Sequence, residues 1–203
     1  MELALDVDAF IKSHKLQNPT LIGHSMGAKT ALTLALHSPN EISSVVAIDN
    51  SPVKLRLNST FPTYLKGMAE VRDAQVRTHH EAEKILKDFA ESPAIRLWLM
   101  SNLVKDAAGS KFLKMRLPVD TLQRATKPLG DFPYRVGDAR FYGPTLFVRG
   151  LQSHYVPDSA FPQIAAMFPS SDVVSLDCGH WIVQDEPERL RQAIVKFIKT
   201  NSI

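Results

Sequence analysis

The chain has 203 residues, 44% of them hydrophobic, which suits a globular domain with a sizeable core and excludes a disordered chain. Its 24 basic and 21 acidic residues give a net charge of +3 and are interspersed, so no basic stripe exists to follow a nucleic-acid backbone. One cysteine, Cys178, excludes an internal disulfide and fits a reducing compartment, and no apolar run reaches the roughly 18 to 20 residues of a membrane span.

From Leu3 to Lys15 the apolar residues Leu3, Val7, Phe10 and Ile11 recur at helical spacing and predict an amphipathic helix ending before Asn18 and Pro19. "TLIG" is short, apolar and bounded by Pro19 and Gly23, as a buried parallel strand would be. "MGAKTALTLALHS" predicts a helix closed by Ser38 and Pro39, and "SSVVAID" a second buried strand. Helix, strand, helix, strand is the alternation of an α/β fold with a parallel sheet.

From about Pro52 to Gly143 the chain is richer in charge, with helical patterns such as "HEAEKILKDFA" and "AIRLWLMSNLV" and no buried strand between them. This predicts a helical cap inserted at 52–143 between two core segments, 1–51 and 144–203. Alternation resumes with "PTLFVRG" as a strand, "DSAFPQIAAMF" as a helix, "DVVSLD" as a strand, and a last helix from Pro187 to Lys199. Phe61, Tyr64, Trp98, Leu99 and Met100 in the insertion would either roof a pocket or form ordinary cap core.

Gly23-His24-Ser25-Met26-Gly27 is Gly-x-Ser-x-Gly set between a predicted strand and a predicted helix, the context that makes the motif a nucleophile elbow. A serine there is held in a strained turn, so the residues two before and two after it are expected to be small enough for strand and helix to approach. The helix N-terminus points at the site, and the Met26 backbone N–H can donate to an oxyanion. The competing reading is a glycine-bounded turn with a capping serine.

A serine hydroxyl needs a histidine base and an acid to orient it, in chain order Ser, Asp, His for this fold. Of seven histidines, His180 fits best, because "LDCGHW" follows the last predicted strand and Gly179 lets that loop turn sharply. His79 and His80 lie in a charged helical run; His14 ends the first helix, and His24 and His37 flank the elbow helix. His154 sits in a loop, where substrate contact and plain exposure fit equally. His24, His154 and Trp181 are the candidate substrate-contacting side chains. For the acid, the loop "GLQSHYVPD" carries Ser153 where a carboxylate would be expected, and Asp49, closing "SVVAID", reaches the same sheet edge. Asp158 reads as a helix N-cap and Asp177 as a polar strand end. No metal-ligand spacing and no phosphate-binding glycine loop occur, so no cofactor is expected.

Together, "GHSMGAKTA", "IDNSPV", "LGDFPY", "LFVRGLQSHYVPD" and "GHW" resemble the abhydrolase domain-containing protein 11-like branch of the α/β-hydrolases, across essentially the whole chain. The resemblance implies an ester or thioester hydrolase, or, as in yeast relatives, transfer of an acetyl group from acetyl-CoA to ethanol. It implies Asp49 as the triad acid, a small acyl ester, thioester or acyl-CoA as partner, and a mitochondrial setting, with the cytoplasm as the alternative. Family members place further strands and a His-Gly loop, source of a second oxyanion N–H, ahead of the helix that begins here. The expectation is therefore an N-terminally truncated parallel sheet whose strand "TLIG" is an edge. On that basis the alternative function is a catalytically impaired chain that acts through binding.

Overall fold

The computed structural model describes residues 1–55, 60–105 and 110–201. They divide into two compact units, Met1–Leu55 with Asp131–Ile203, and Arg56–Gly130. The second unit is narrower than the expected 52–143, because Phe141 and its neighbours belong to the core of the first. Of the expected insertion, 56–59 and 106–109 lie outside the described residues.

The first unit opens with α1 (Glu2–Ser13), followed by β1 (Thr20–His24), α2 (Met26–His37) and β2 (Ser44–Ile48). Its second segment contributes β5 (Thr145–Gly150), a 3₁₀ turn (Asp158–Ala160), α7 (Phe161–Met167) and β6 (Ser171–Leu176), then α8 (Ile182–Asp185) and α9 (Pro187–Thr200). The four strands form a wholly parallel sheet in the order β1-β2-β5-β6. The helix expected from "DSAFPQIAAMF" is split, its first turn being 3₁₀, since Pro162 near the start of α7 has no N–H to donate.

β2 shows why these apolar runs make a two-sided sheet. Its side chains alternate between faces: Val45 and Ala47 pack into a core with Leu32, Leu34, Phe147 and Phe168, while Val46 and Ile48 pack into another with Leu146, Ile182 and Phe197. Helices cover both faces, so a strand such as "SVVAI" is apolar at nearly every position. β1 pairs with β2 alone among the described residues, and Ile22 on it is 52% exposed. Thr20 Oγ1 and Ser44 Oγ share a 2.9 Å hydrogen bond across that pair, which adds to the strand register Thr20↔Ser44 through His24↔Ile48.

The second unit contains α3 (Thr60–Asp73), α4 (His79–Leu86), α5 (Pro93–Met100) and α6 (Val119–Leu129), with a two-stranded antiparallel sheet of β3 (Leu103–Lys105) and β4 (Leu113–Met115). Thr78 caps α4 by accepting from Glu81 N–H, and the Glu81 carboxylate accepts in return from Arg77 N–H. Alongside the expected helices the unit thus carries two short, part-exposed strands. "AIRLWLMSNLV" does not stay helical, because Asn102 turns its amide onto the Leu99 carbonyl at 3.2 Å and ends α5, leaving Leu103 to pair with Met115. Leu99 and Met100 lie in this unit's own core, with Phe61 and Tyr64 packed against it, while Trp98 is 45% exposed.

The two glycines of the Gly-x-Ser-x-Gly motif have unequal roles. A Cβ on Gly23 would lie 2.2 Å from the Gly27 carbonyl oxygen and 2.7 Å from Ala28 N, so only glycine lets β1 pass under α2. A Cβ on Gly27 would meet nothing within 4 Å. The symmetric size requirement expected from the motif thus falls on Gly23 alone. Gly23→Ala is expected to cost at least about 1–3 kcal/mol, as in overpacked cores, whereas Gly27→Ala in the first turn of α2 is expected to be neutral or slightly stabilising. Urea unfolding midpoints of the two variants against the unsubstituted chain check this.

Candidate active site

All four strands of the parallel sheet end at one edge, where a loop following each strand can meet its neighbours. β1 delivers Ser25, β2 delivers Asp49, β5 delivers the Gly150–Ser153 turn and β6 the loop carrying His180. Ser25 has φ 57° and ψ −117°, a conformation that side-chain-bearing residues rarely adopt and that costs on the order of 1–3 kcal/mol. Two contacts hold it there: Ser25 N–H donates to the Ile48 carbonyl at 2.9 Å, and Asn50 Nδ2 donates to the Ser25 carbonyl at 3.0 Å. Met26 opens α2, so its N–H lies in the first turn, where no intrahelical carbonyl is available to it.

Ser25, Asp49 and His180 meet in series. Asp49 is wholly buried, and because a carboxylate only accepts, His180 Nδ1–H donates to its Oδ2 at 2.7 Å. The neutral ring then presents a bare Nε2, which accepts from Ser25 Oγ–H at 3.0 Å. Two further donors reach the Asp49 carboxylate: Gly150 N–H on Oδ1 at 3.1 Å and Ser153 Oγ–H on Oδ2 at 2.5 Å. A buried carboxylate so surrounded does not need a cationic partner to offset its desolvation. Gly150 permits this closeness, since a Cβ there would lie 2.4 Å from the Gly179 carbonyl oxygen.

The other expected residues fall out differently. His24 directs Nε2–H to the His180 carbonyl at 2.9 Å, a bond to protein rather than one left for a substrate. Burial, the largest influence, lowers the His24 pKa, and the neighbouring His180 adds to that; its hydrogen bond to the His180 carbonyl and the more distant Asp49 charge work the other way. His154 is exposed with its ring 4.4 Å from Tyr155, and it is Tyr155 that lies against the His180 ring, at 4.5 Å. Trp181 stands edge-on to His180 at 5.9 Å. Asp158 is not the N-cap expected of it: it begins the 3₁₀ turn and pairs with Arg149, whose guanidinium also lies over Phe161. Asp177 accepts from Gln152 and is exposed. Sequence pattern does not single out Tyr155, Asn50 or the donor role of Ser153; the one signal it offers is the hydroxyl, in place of a carboxylate, at 153. Among the described residues, no group of three His, Cys, Asp or Glu is placed to hold a metal ion, and no helix is long and apolar enough to cross a membrane.

The fold and this edge-of-sheet arrangement define an α/β-hydrolase, and residues 1–187 match the alpha/beta hydrolase fold family, to which the chain belongs. Within it, the chain sits in the branch of abhydrolase domain-containing protein 11 and the yeast alcohol acetyltransferases. It is 36% identical over 196 residues to an abhydrolase domain-containing protein of Schizosaccharomyces pombe, covering 97% of this chain and 73% of that one. It is 34% identical to a probable alcohol acetyltransferase of Saccharomyces cerevisiae (96% and 61% covered) and 31% identical to the sn-1-specific diacylglycerol lipase ABHD11 of Mus musculus (97% and 64% covered). The chain thus spans less than two thirds of the length of those last two relatives. Among solved structures, a marine microorganism esterase superposes with a TM-score of 0.87 at 25% identity, covering 96% of this chain and 75% of that one.

One turn beyond Ser25, Lys29 is 7% exposed and donates from Nζ to the Val53 carbonyl at 3.0 Å and the Asp131 carbonyl at 3.4 Å. Burial lowers its pKa to about 8, with the Asp131 charge opposing that shift. Between that value and the ordinary 10.5 the unfolded chain binds more protons at this site than the folded one, so stability rises with pH across the window and is flat below it. The stability difference between the unsubstituted chain and Lys29→Met, measured by urea unfolding from pH 7 to 10, is expected to be constant to about pH 8. Above that it should grow in favour of the unsubstituted chain, by at most about 1.4 kcal/mol per pH unit.

Proposed function

We propose that this chain is a serine hydrolase that cleaves small acyl esters or thioesters through an acyl-serine intermediate. The observation that carries the reading is the unbroken series from Ser25 Oγ through the His180 ring to the buried Asp49 carboxylate, with links of 3.0 and 2.7 Å. Membership of the hydrolase family supports it, as do relatives named as a lipase and as acetyltransferases and a neighbouring structure named as an esterase.

In this reading Ser25 Oγ attacks the acyl carbon while its proton passes to His180 Nε2, and Asp49 stabilises the imidazolium through Nδ1–H. The negative charge gathers on the former carbonyl oxygen, toward which the Met26 N–H at the head of α2 is directed. Collapse of the tetrahedral adduct breaks the bond to the leaving alcohol or thiol, which takes the proton from His180. The acyl group stays on Ser25 until water, deprotonated by His180, releases it as a carboxylic acid. An alcohol in place of water yields a new ester by the same steps, so hydrolysis and acyl transfer share one triad and differ in which acceptor reaches it. Acyl-CoA fits the donor role as a thioester.

A fluorophosphonate probe is expected to label the protein, and Ser25→Ala to abolish that labelling. With short nitrophenyl esters, Asp49→Asn is expected to lower kcat by about 10⁴, the loss produced by the equivalent change in a serine protease, while Asp158→Asn leaves kcat within about twofold. A folded protein that is never labelled would favour a binding role instead, and loss of turnover in Asp158→Asn with Asp49→Asn active would move the acid elsewhere.

A further inference from the structure

Nothing in the Gly-x-Ser-x-Gly pattern prescribes the residue before the serine, yet His24 makes the hydrogen bond that ties the elbow to the base loop. Its Nε2 lies 2.9 Å from the carbonyl oxygen of His180, 156 residues away in sequence. A carbonyl can only accept, so His24 must carry its proton on Nε2, and the burial that lowers its pKa favours the neutral ring. The His24 and His180 rings are 4.8 Å apart at 31°, so the strut also backs the imidazole it anchors. On its other side His180 meets the Tyr155 ring at 4.5 Å.

Those contacts divide the restraint of His180 into two parts. Asp49 sets the rotation of the ring through Nδ1, but the main chain that carries the ring leaves β6 through Asp177, Cys178 and Gly179. Gly179 faces open space where a Cβ would be, so its own packing does little to restrain the turn. The Cys178 carbonyl accepts from Gln152 N–H at 3.0 Å, which fixes the loop before that glycine but not after it. The bond from His24 holds the loop at His180 itself, one residue ahead of Trp181, whose carbonyl accepts from Gln184 N–H and Asp185 N–H at the start of α8. Since His24 is the immediate neighbour of Ser25, the same residue pair that aims the hydroxyl also locates the base.

We infer that His24 is a positioning residue: its Nε2–H holds the His180 backbone at the distance from which Nε2 can take the Ser25 proton, and it neither binds substrate nor carries the proton itself. The inference rests on the proposed Ser25–His180–Asp49 triad. Displacement of a reacting group by about 1 Å costs on the order of a hundredfold in rate, so loss of the strut should slow nucleophile activation with little effect on binding.

The test is the kinetics of fluorophosphonate labelling, which needs no identified substrate. His24→Leu, which keeps bulk but cannot donate, is expected to lower the maximal labelling rate constant about 10- to 100-fold, with the half-saturating probe concentration within about twofold. His24→Gln, whose amide can donate to the same carbonyl, is expected to recover most of that loss. Equal rates in His24→Leu and the unsubstituted protein would overturn the inference, as would an effect confined to half-saturation or a His24→Gln variant as slow as His24→Leu. Nitrogen-15 NMR of the unsubstituted protein gives a readout independent of how the variants fold: His24 is expected as the Nε2–H tautomer, and an Nδ1–H tautomer would exclude the bond. If the unsubstituted protein is not labelled at Ser25, the triad reading itself fails; if it is labelled and His24→Leu is equally fast, only the role of His24 fails.

Discussion

The imidazole of His180 is the part of the molecule on which the rest of the site depends. A ring that must accept from a hydroxyl on one nitrogen needs its proton held on the other, and the buried Asp49 carboxylate enforces that tautomer at 2.7 Å. Such a carboxylate is tolerable only if its remaining lone pairs are filled. Gly150 N–H and Ser153 Oγ–H fill them, so the segments after β5 and β6 converge on the carboxylate that follows β2. Asp49 itself sits at φ 48°, an unfavourable value for a residue with a side chain, and its N–H is anchored by the Val148 carbonyl at 2.7 Å. Backbone strain at both Ser25 and Asp49 is thus held by hydrogen bonds between adjacent parallel strands.

This places a specific demand on sheet register. Ser25 follows His24, which is paired with Ile48, and Asp49 follows Ile48, so the two residues leave neighbouring strands at the same level. A shift of β2 by one residue would separate them and also turn Val45 and Ala47 from one core to the other. The apolar residues therefore locate the polar ones. Two distinct cores flanking one sheet leave β2 a single acceptable register.

Much of this was legible beforehand, for reasons particular to each segment. The four parallel strands are short runs rich in apolar residues, and burial on both faces makes the central pair, β2 and β5, the most conspicuous. Ser25 stood out through its glycines, and Asp49 and His180 because each follows a predicted strand at the edge where Ser25 emerges. β3 and β4 escaped notice because three residues each, "LVK" and "LKM", are too few for a period of two to show. Asn50, Tyr155 and Ser153 act through contacts between separate loops, and one-dimensional patterns do not encode which loops meet. The backbone imposes a size limit at Gly23 and none at Gly27, a difference that the symmetry of the motif hides.

The surroundings of the Asp49 carboxylate show how the fold joins loops that are far apart in sequence. The loop after β5 is near enough to hold the carboxylate, as the 2.5 Å contact from Ser153 to Asp49 shows. Ser153 places a hydroxyl there, which donates to Asp49 and accepts from Tyr155 N–H at 3.3 Å, and the carboxylate comes from the loop after β2. Arg149 on β5 points the same way, since its guanidinium is paired with Asp158 and holds that carboxylate at the 3₁₀ turn, apart from His180. Donor and acceptor have complementary positions on adjacent strands, and the pair works as a unit. Ser153 is therefore part of what makes Asp49 an acceptor with a fixed orientation, and a change at either position acts on the other.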